Sequence, residues 1–148
     1  MITPVRRRLA VPLLAGLVAL CAAAPAVAQD AEARLATMEA TEWTLVALQL
    51  AESLDSPVAQ IRQEALQQIT FFATYHSEKV DLRAAIPALL SIYESRAAEG
   101  ERIQALMALR AVGDGATMDY LLTAAERERS PRVHQLTLAA VADYRGGQ

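Results

Sequence analysis

The sequence predicts an all-α protein, a stack of about three helical hairpins preceded by a cleavable leader. Three observations carry that expectation. Beyond residue 28 the chain is dominated by Ala, Leu, Glu, Gln and Arg, which favour helix. It also lacks the period-two clusters of β-branched and aromatic residues that mark strands. A nine-residue helical motif recurs three times, and outside the leader glycine is confined to Gly100, Gly113, Gly115, Gly146 and Gly147, where it punctuates helices.

The first element in order is the leader. Arg6, Arg7 and Arg8 precede an uncharged apolar run from Leu9 to Ala24, and Pro25-Ala26-Val27-Ala28 leads into Gln29-Asp30. A basic start, a short apolar middle and small residues at Ala26 and Ala28 predict a secretory signal peptide over residues 1–28, cut before Gln29. Cys21, the single cysteine, lies inside this leader. Leu20 before it fits a lipidation signal poorly, so a lipoprotein is the lesser alternative to an exported periplasmic or secreted protein.

Removal of the leader takes away three arginines and no acid. The remaining 120 residues carry eleven basic and seventeen acidic side chains, a net charge of −6. That balance argues against a nucleic-acid partner, which needs clustered Lys and Arg. Without Cys21 the chain forms no disulfide and no thiolate metal site. No later apolar run approaches the ~20 residues of a membrane span.

The helices follow in sequence. Asp30 to Thr41, with Asp30 as a cap, places Leu35 and Met38 on one side; Glu42 to Leu54 places Leu45, Leu48 and Ala51 together, and the two segments are either separate or one bent helix. Ser56-Pro57 reads as a cap and first helical residue, opening a helix to about Thr74 on the stripe Ile61, Ala65, Leu66, Ile69, Phe72. His76 to Val80 reads as a polar loop. Asp81 caps a helix to about Ala97, provided Pro87 falls in its first turn. Glu101 to Val112 ends at Gly113-Asp114-Gly115; Ala116 to Arg127 and Pro131 to Tyr144 complete the set, the last announced by Ser130-Pro131.

Three of these segments align without gaps, beginning at Ile61, Glu101 and Val133. The fifth position is small (Ala65, Ala105, Thr137), the sixth is Leu (Leu66, Leu106, Leu138), the ninth is aliphatic (Ile69, Leu109, Val141) and the twelfth is apolar (Phe72, Val112, Tyr144). These spacings share one helical stripe. A second helix precedes each copy, so each unit is a hairpin, with repeats at about 41–75, 81–113 and 116–145. Such a unit cannot bury its apolar face alone; neighbours supply the missing core.

The string Ala105-Leu106-Met107-Ala108-Leu109-Arg110-Ala111-Val112-Gly113-Asp114-Gly115 resembles the second helix and terminal turn of a HEAT-like repeat. Ser130-Pro131-Arg132-Val133-His134 and Ile61-Arg62 resemble that family's Pro-x-Val-Arg helix start, and Ala85-Ile86-Pro87-Ala88-Leu89-Leu90 its first helix. The resemblance runs from about Thr41 to Tyr144. It departs at His134, where Arg is usual, at Glu101, where an aliphatic is usual, and at two extra residues between Pro57 and Ile61. It implies an α-α superhelix whose role is to bind other proteins. It also implies that Arg62, Arg102 and His134 bridge neighbouring repeats, the arginines through an acid such as Asp55 or Glu94.

The residues offer little for catalysis. The only two histidines are His76, in the loop beside Glu78 and Asp81, and His134; neither has the convergent partners of a metal cage. No serine stands in a Gly-x-Ser-x-Gly context, and Gly113-Asp114-Gly115 lacks the residues of a phosphate loop. The expectation is therefore a non-catalytic scaffold with no cofactor and no metal, binding a protein or peptide. In a curved stack Gln63, Gln67, Ile103, Met107 and Gln135 lie toward the concave face, with Ile103 and Met107 forming a small apolar patch. The alternatives are a self-associating stack and an enzyme accessory, since similar repeats occur in bilin lyases.

Overall fold

The computed structural model describes residues 25–147, and they form two compact units that divide between Met38 and Glu39. The basic and apolar parts of the leader, with Cys21, lie outside the described residues. In the first unit α1 (Pro25–Thr37) runs through Ala26, Ala28, Gln29 and Asp30, so Asp30 lies within the helix and not at its N-terminus.

The second unit is all helix. It comprises α2 (Ala40–Leu54), α3 (Ala59–Tyr75), a 3-10 turn (Arg83–Ala85), α4 (Ile86–Glu94), α5 (Glu99–Val112), α6 (Gly115–Ala125) and α7 (Pro131–Gly146). No strand forms among the described residues. Chain neighbours pair as α2/α3, α4/α5 and α6/α7, and the second helices also pack in order, α3 on α5 and α5 on α7. Thus α5 is flanked on both sides, while α3 and α7 each have one such neighbour within the unit.

The helix ends follow local chemistry. Glu39 has extended backbone, and its N–H donates to the Glu42 carboxylate at 2.7 Å, which breaks the chain cleanly between α1 and α2. Ser56 does not cap α3 directly. Its Oγ accepts the Val58 N–H at 3.2 Å, and Val58 takes the cap position because two extra residues follow Pro57. Ser130-Pro131 behaves as expected, with Ser130 Oγ accepting the Val133 N–H at 3.2 Å and Pro131 opening α7. The region expected to be one helix from Asp81 becomes a 3-10 turn followed by α4, which leaves Pro87 in the first turn of α4, where its missing N–H costs nothing. Gly113 ends α5 at φ 68°, a left-handed conformation glycine adopts without strain, and Asp114 then accepts the Thr117 N–H at 2.8 Å to start α6.

The core holds the fifth and ninth positions of all three copies: Ala65, Ala105 and Thr137, then Ile69, Leu109 and Val141. Small residues there let helices approach, and the aliphatics fill the seam. Thr137 is wholly buried, yet its hydroxyl contacts Tyr93 Oη at 2.9 Å and donates to the Val133 carbonyl at 2.8 Å, so no polar atom is left unpaired.

Two further departures from the sequence pattern concern burial. The first concerns α2, whose buried residues are Trp43, Ala47, Leu50 and Leu54, whereas Leu45 and Leu48 are more than half exposed. Both stripes are apolar, and the one carrying Trp43 is buried because the indole packs edge-on against Phe72, ring centres 5.7 Å apart. The second concerns the sixth position. Leu66 and Leu106 are 0% exposed, but Leu138 is 39% exposed. The next second helix covers that flank of α3 and of α5; among the described residues none covers it on α7.

Candidate functional site

The three residues aligned at the second motif position make the same kind of contact. Arg62 Nη1 donates to the Ser56 carbonyl at 2.9 Å, Arg102 Nε to the Tyr93 carbonyl at 2.7 Å, and His134 Nδ1 lies 2.8 Å from the Ala125 carbonyl. Each contact satisfies a carbonyl at or just past the C-terminal end of the hairpin's first helix, where no intrahelical donor remains. Each hairpin is closed internally by this residue.

The two arginines then reach further. Arg62 Nε donates to Glu101 at 2.7 Å, crossing from the first hairpin to the second. Arg102 forms a fork on Glu128, crossing from the second to the third, with only 15% and 7% of the two side chains exposed. The acids expected for these arginines, Asp55 and Glu94, are not the ones used. Glu101 occupies the very position where the sequence pattern called for an aliphatic, and Glu128 sits in the α6–α7 loop. His134 keeps the carbonyl contact within its own hairpin and makes no hydrogen bond to another hairpin among the described residues.

Burial pushes the Glu128 carboxyl up, but hydrogen bonds from Arg102 and the Ser130 N–H outweigh it and hold the group below its ordinary range. Its bond to Glu101 raises the Arg62 guanidinium, keeping it charged. The Arg102 guanidinium also lies 5.8 Å from the Tyr93 ring centre. Ser130 Oγ donates to Glu99 at 2.6 Å, adding a further contact between the second and third hairpins. Burial raises the Tyr93 phenol above its usual value, so it stays neutral while bonding Thr137.

On the other side of the second helices, Gln63, Gln67, Gln135 and Met107 are exposed and Ile103 is half-buried. They occupy the third and seventh positions of α3, α5 and α7, helices that lie side by side, so they share one surface. Ile103 and Met107 are one turn apart on its central helix. Arg110 and Asp143 form an ion pair from α5 to α7.

A separate cluster escaped the sequence reading. His76, expected to be a solvated loop residue, is the C-terminal cap of α3 and half-buried. Its ring lies 5.7 Å from Trp43, 5.6 Å from Phe71 and 5.9 Å from Phe72, and Phe71 lies 5.1 Å from Tyr75. Four of the chain's seven aromatic residues thus meet at one end of the first hairpin. The concentration of aromatics at residues 71, 72 and 75 was the available signal.

A cleft of about 400 Å³ lies beside the α3–α4 connection, lined by Ala73, Ser77, Lys79, Asp81, Arg83 and Val112 among others. Asp81 and Arg83 pair with each other there at 2.6 Å. Among the described residues no three His, Cys, Asp or Glu side chains are grouped to hold a metal ion, and no helix is long and apolar enough to cross a membrane. The chain matches no family model, no curated protein and no solved structure.

Proposed function

We propose that this chain is an exported, non-catalytic scaffold, a short HEAT-like solenoid that binds a protein or peptide on the exposed side of its second helices. The observation that carries the reading is the register of Arg62, Arg102 and His134. Three hairpins close on the same carbonyl contact, two extend it to the next hairpin, and the third and seventh positions of three adjacent helices are exposed apart from the half-buried Ile103. A repeat that fixes its own spacing in this way presents an extended surface without needing a catalytic centre. Export rests on the Arg6–Arg8 start, the apolar run and the Ala26-Val27-Ala28 cut.

The test has two arms. N-terminal sequencing of the protein recovered from the cell envelope or medium is expected to begin at Gln29; a chain retained in the cytoplasm with Met1 intact removes the export reading. Affinity capture with wild type and with Ile103→Glu plus Met107→Glu addresses the surface. Loss of a stoichiometric partner from a folded variant supports it, and capture of the same partner by both overturns it.

A further inference from the structure

The outer flank of α3 differs from the equivalent flanks of α5 and α7. On α5 that flank runs through Glu101, Gln104, Ala108 and Ala111, and on α7 through Val133, Leu136, Ala140 and Asp143; both turn toward the preceding second helix. Ala108 and Ala140 are buried there, and their small size is what lets the helices approach. On α3 the same positions are Ile61, Glu64, Gln68 and Phe71, continuing to Tyr75. Ile61 is 42% exposed, Phe71 45% and Tyr75 67%. A terminal repeat kept merely soluble carries a polar outer face; this one carries an aliphatic and two aromatic side chains in a line.

The occupant is constrained from two sides. A second copy adding its α7 by the internal packing would meet Gln68 where both internal junctions have alanine, and Phe71 where they have Ala111 and the Arg110-paired Asp143, and would be held off. Charge points the same way. Residues 39–80 contain Glu39, Glu42, Glu52, Asp55, Glu64 and Glu78 against Arg62 and Lys79, and Arg62 is engaged with Glu101. None of those six carboxylates takes part in an ion pair among the described residues. Glu64 lies in the stripe, Glu39 and Glu42 open the helix that carries Trp43, and Glu78 follows the His76 cap. The chain's net charge is negative, so a second copy is repelled at long range, whereas a cationic partner is attracted.

We propose that the Ile61–Phe71–Tyr75 stripe of α3 is a docking surface for a basic amphipathic helix of a partner protein. The stripe is about 21 Å long at 1.5 Å per residue, enough for about four turns of a partner helix. Its apolar side chains receive the partner's apolar face, and the surrounding carboxylates receive Lys or Arg at its edges. This surface is distinct from the one around Ile103 and Met107, and either can stand without the other.

Trp43 is the only tryptophan and lies buried against Phe72 and His76, so its emission reports on this end of the hairpin. The protein as cells produce it is titrated with a tryptophan-free helical peptide of leucine and lysine, and with its leucine–glutamate counterpart. The lysine peptide is expected to change Trp43 emission saturably at one-to-one stoichiometry, with affinity falling at least about tenfold in Phe71→Glu plus Tyr75→Glu. Raising salt from about 0.05 to about 0.3 M is expected to weaken it severalfold. The Ile103→Glu plus Met107→Glu variant binds as wild type does. Circular dichroism establishes that each variant remains folded; because Phe71 and Tyr75 are exposed, single Phe71→Ser and Tyr75→Ser variants serve if the double variant unfolds. Equal binding of the glutamate peptide, or undiminished binding by the stripe variants, overturns the proposal. So does a peptide-free dimer in sedimentation that the stripe variants abolish, which assigns the flank to a second copy.

Discussion

From residue 81 onward eight cations face nine carboxylates, and the carboxylates Asp81, Glu99, Glu101, Asp119, Glu128 and Asp143 are all held by arginines. Between residues 39 and 80 six carboxylates accompany two cations. Six of the nine large apolar side chains left exposed among the described residues also fall in that first stretch: Leu45, Leu48, Val58, Ile61, Phe71 and Tyr75. Both regions are built on the same helical stripe, so the stripe does not account for the difference. Position in the stack does. The second and third hairpins use their charges to hold one another in register, and the first leaves both its charge and its apolar flank available.

The core positions separate the two regions most. Leu106→Ala removes a side chain sealed between helices and is expected to cost about 2–5 kcal/mol in urea unfolding. Leu138→Ala, at the aligned position on an uncovered flank, is expected to cost less than about 1 kcal/mol. Equal losses would mean that the α7 flank is covered in solution and that the stack continues there through self-association.

The polar junctions come next. Arg102→Ala leaves the Glu128 carboxylate nearly buried without its partner and frees the Tyr93 carbonyl, an expected loss of about 1–3 kcal/mol. The aligned Arg62→Ala is expected to cost less, because its pair with Glu101 is the more exposed of the two. The junctions also differ in pH response. The Glu128 carboxyl is held below its unfolded value, so its contribution is complete above about pH 4.3 and is lost as the pH falls through the lower folded value. The stability gap between wild type and Glu128→Gln is therefore expected to narrow on acidification from neutral pH. A gap that widens would overturn the pairing.

How much of this was legible in the sequence varies with the physics involved. The fifth and ninth positions were legible because their burial repeats with helical period at every copy. Gly113 and Ser130-Pro131 were legible because left-handed ends and caps are local chemistry. The buried side of α2 was not, because Leu45 and Leu48 form as good an apolar stripe as Leu50 and Leu54, and only contact with Phe72 separates them. Glu101 and Glu128 were hidden for another reason. They pair with arginines 39 and 26 residues away, and ion pairs across helices follow no period. The Trp43–Phe72–His76 contact likewise joins the start of one helix to the end of the next. Hairpin geometry dictates that juxtaposition, while the sequence displays it only as scattered aromatics.

The smallest expected effect lies where the two regions join. Asp81 sits in the connection between the first and second hairpins, and its hydrogen bonds with Arg83, first through the guanidinium and then through the backbone N–H, hold its carboxyl at about 2. A depressed carboxyl adds stability above its unfolded value, from about pH 3.9 upward, and loses it as the pH falls toward the folded value. Both side chains are well exposed, however, and water screens the pair. Arg83→Ala is accordingly expected to return the Asp81 titration, followed by carboxyl NMR shifts, to the ordinary aspartate range. The thermal midpoint at neutral pH is expected to stay close to that of the wild type. A marked drop instead would mean that this short-range pair fixes how the first hairpin meets the second. The first hairpin's free charge would then be held in place by its neighbour, and the two regions would be less independent than their ion pairs indicate.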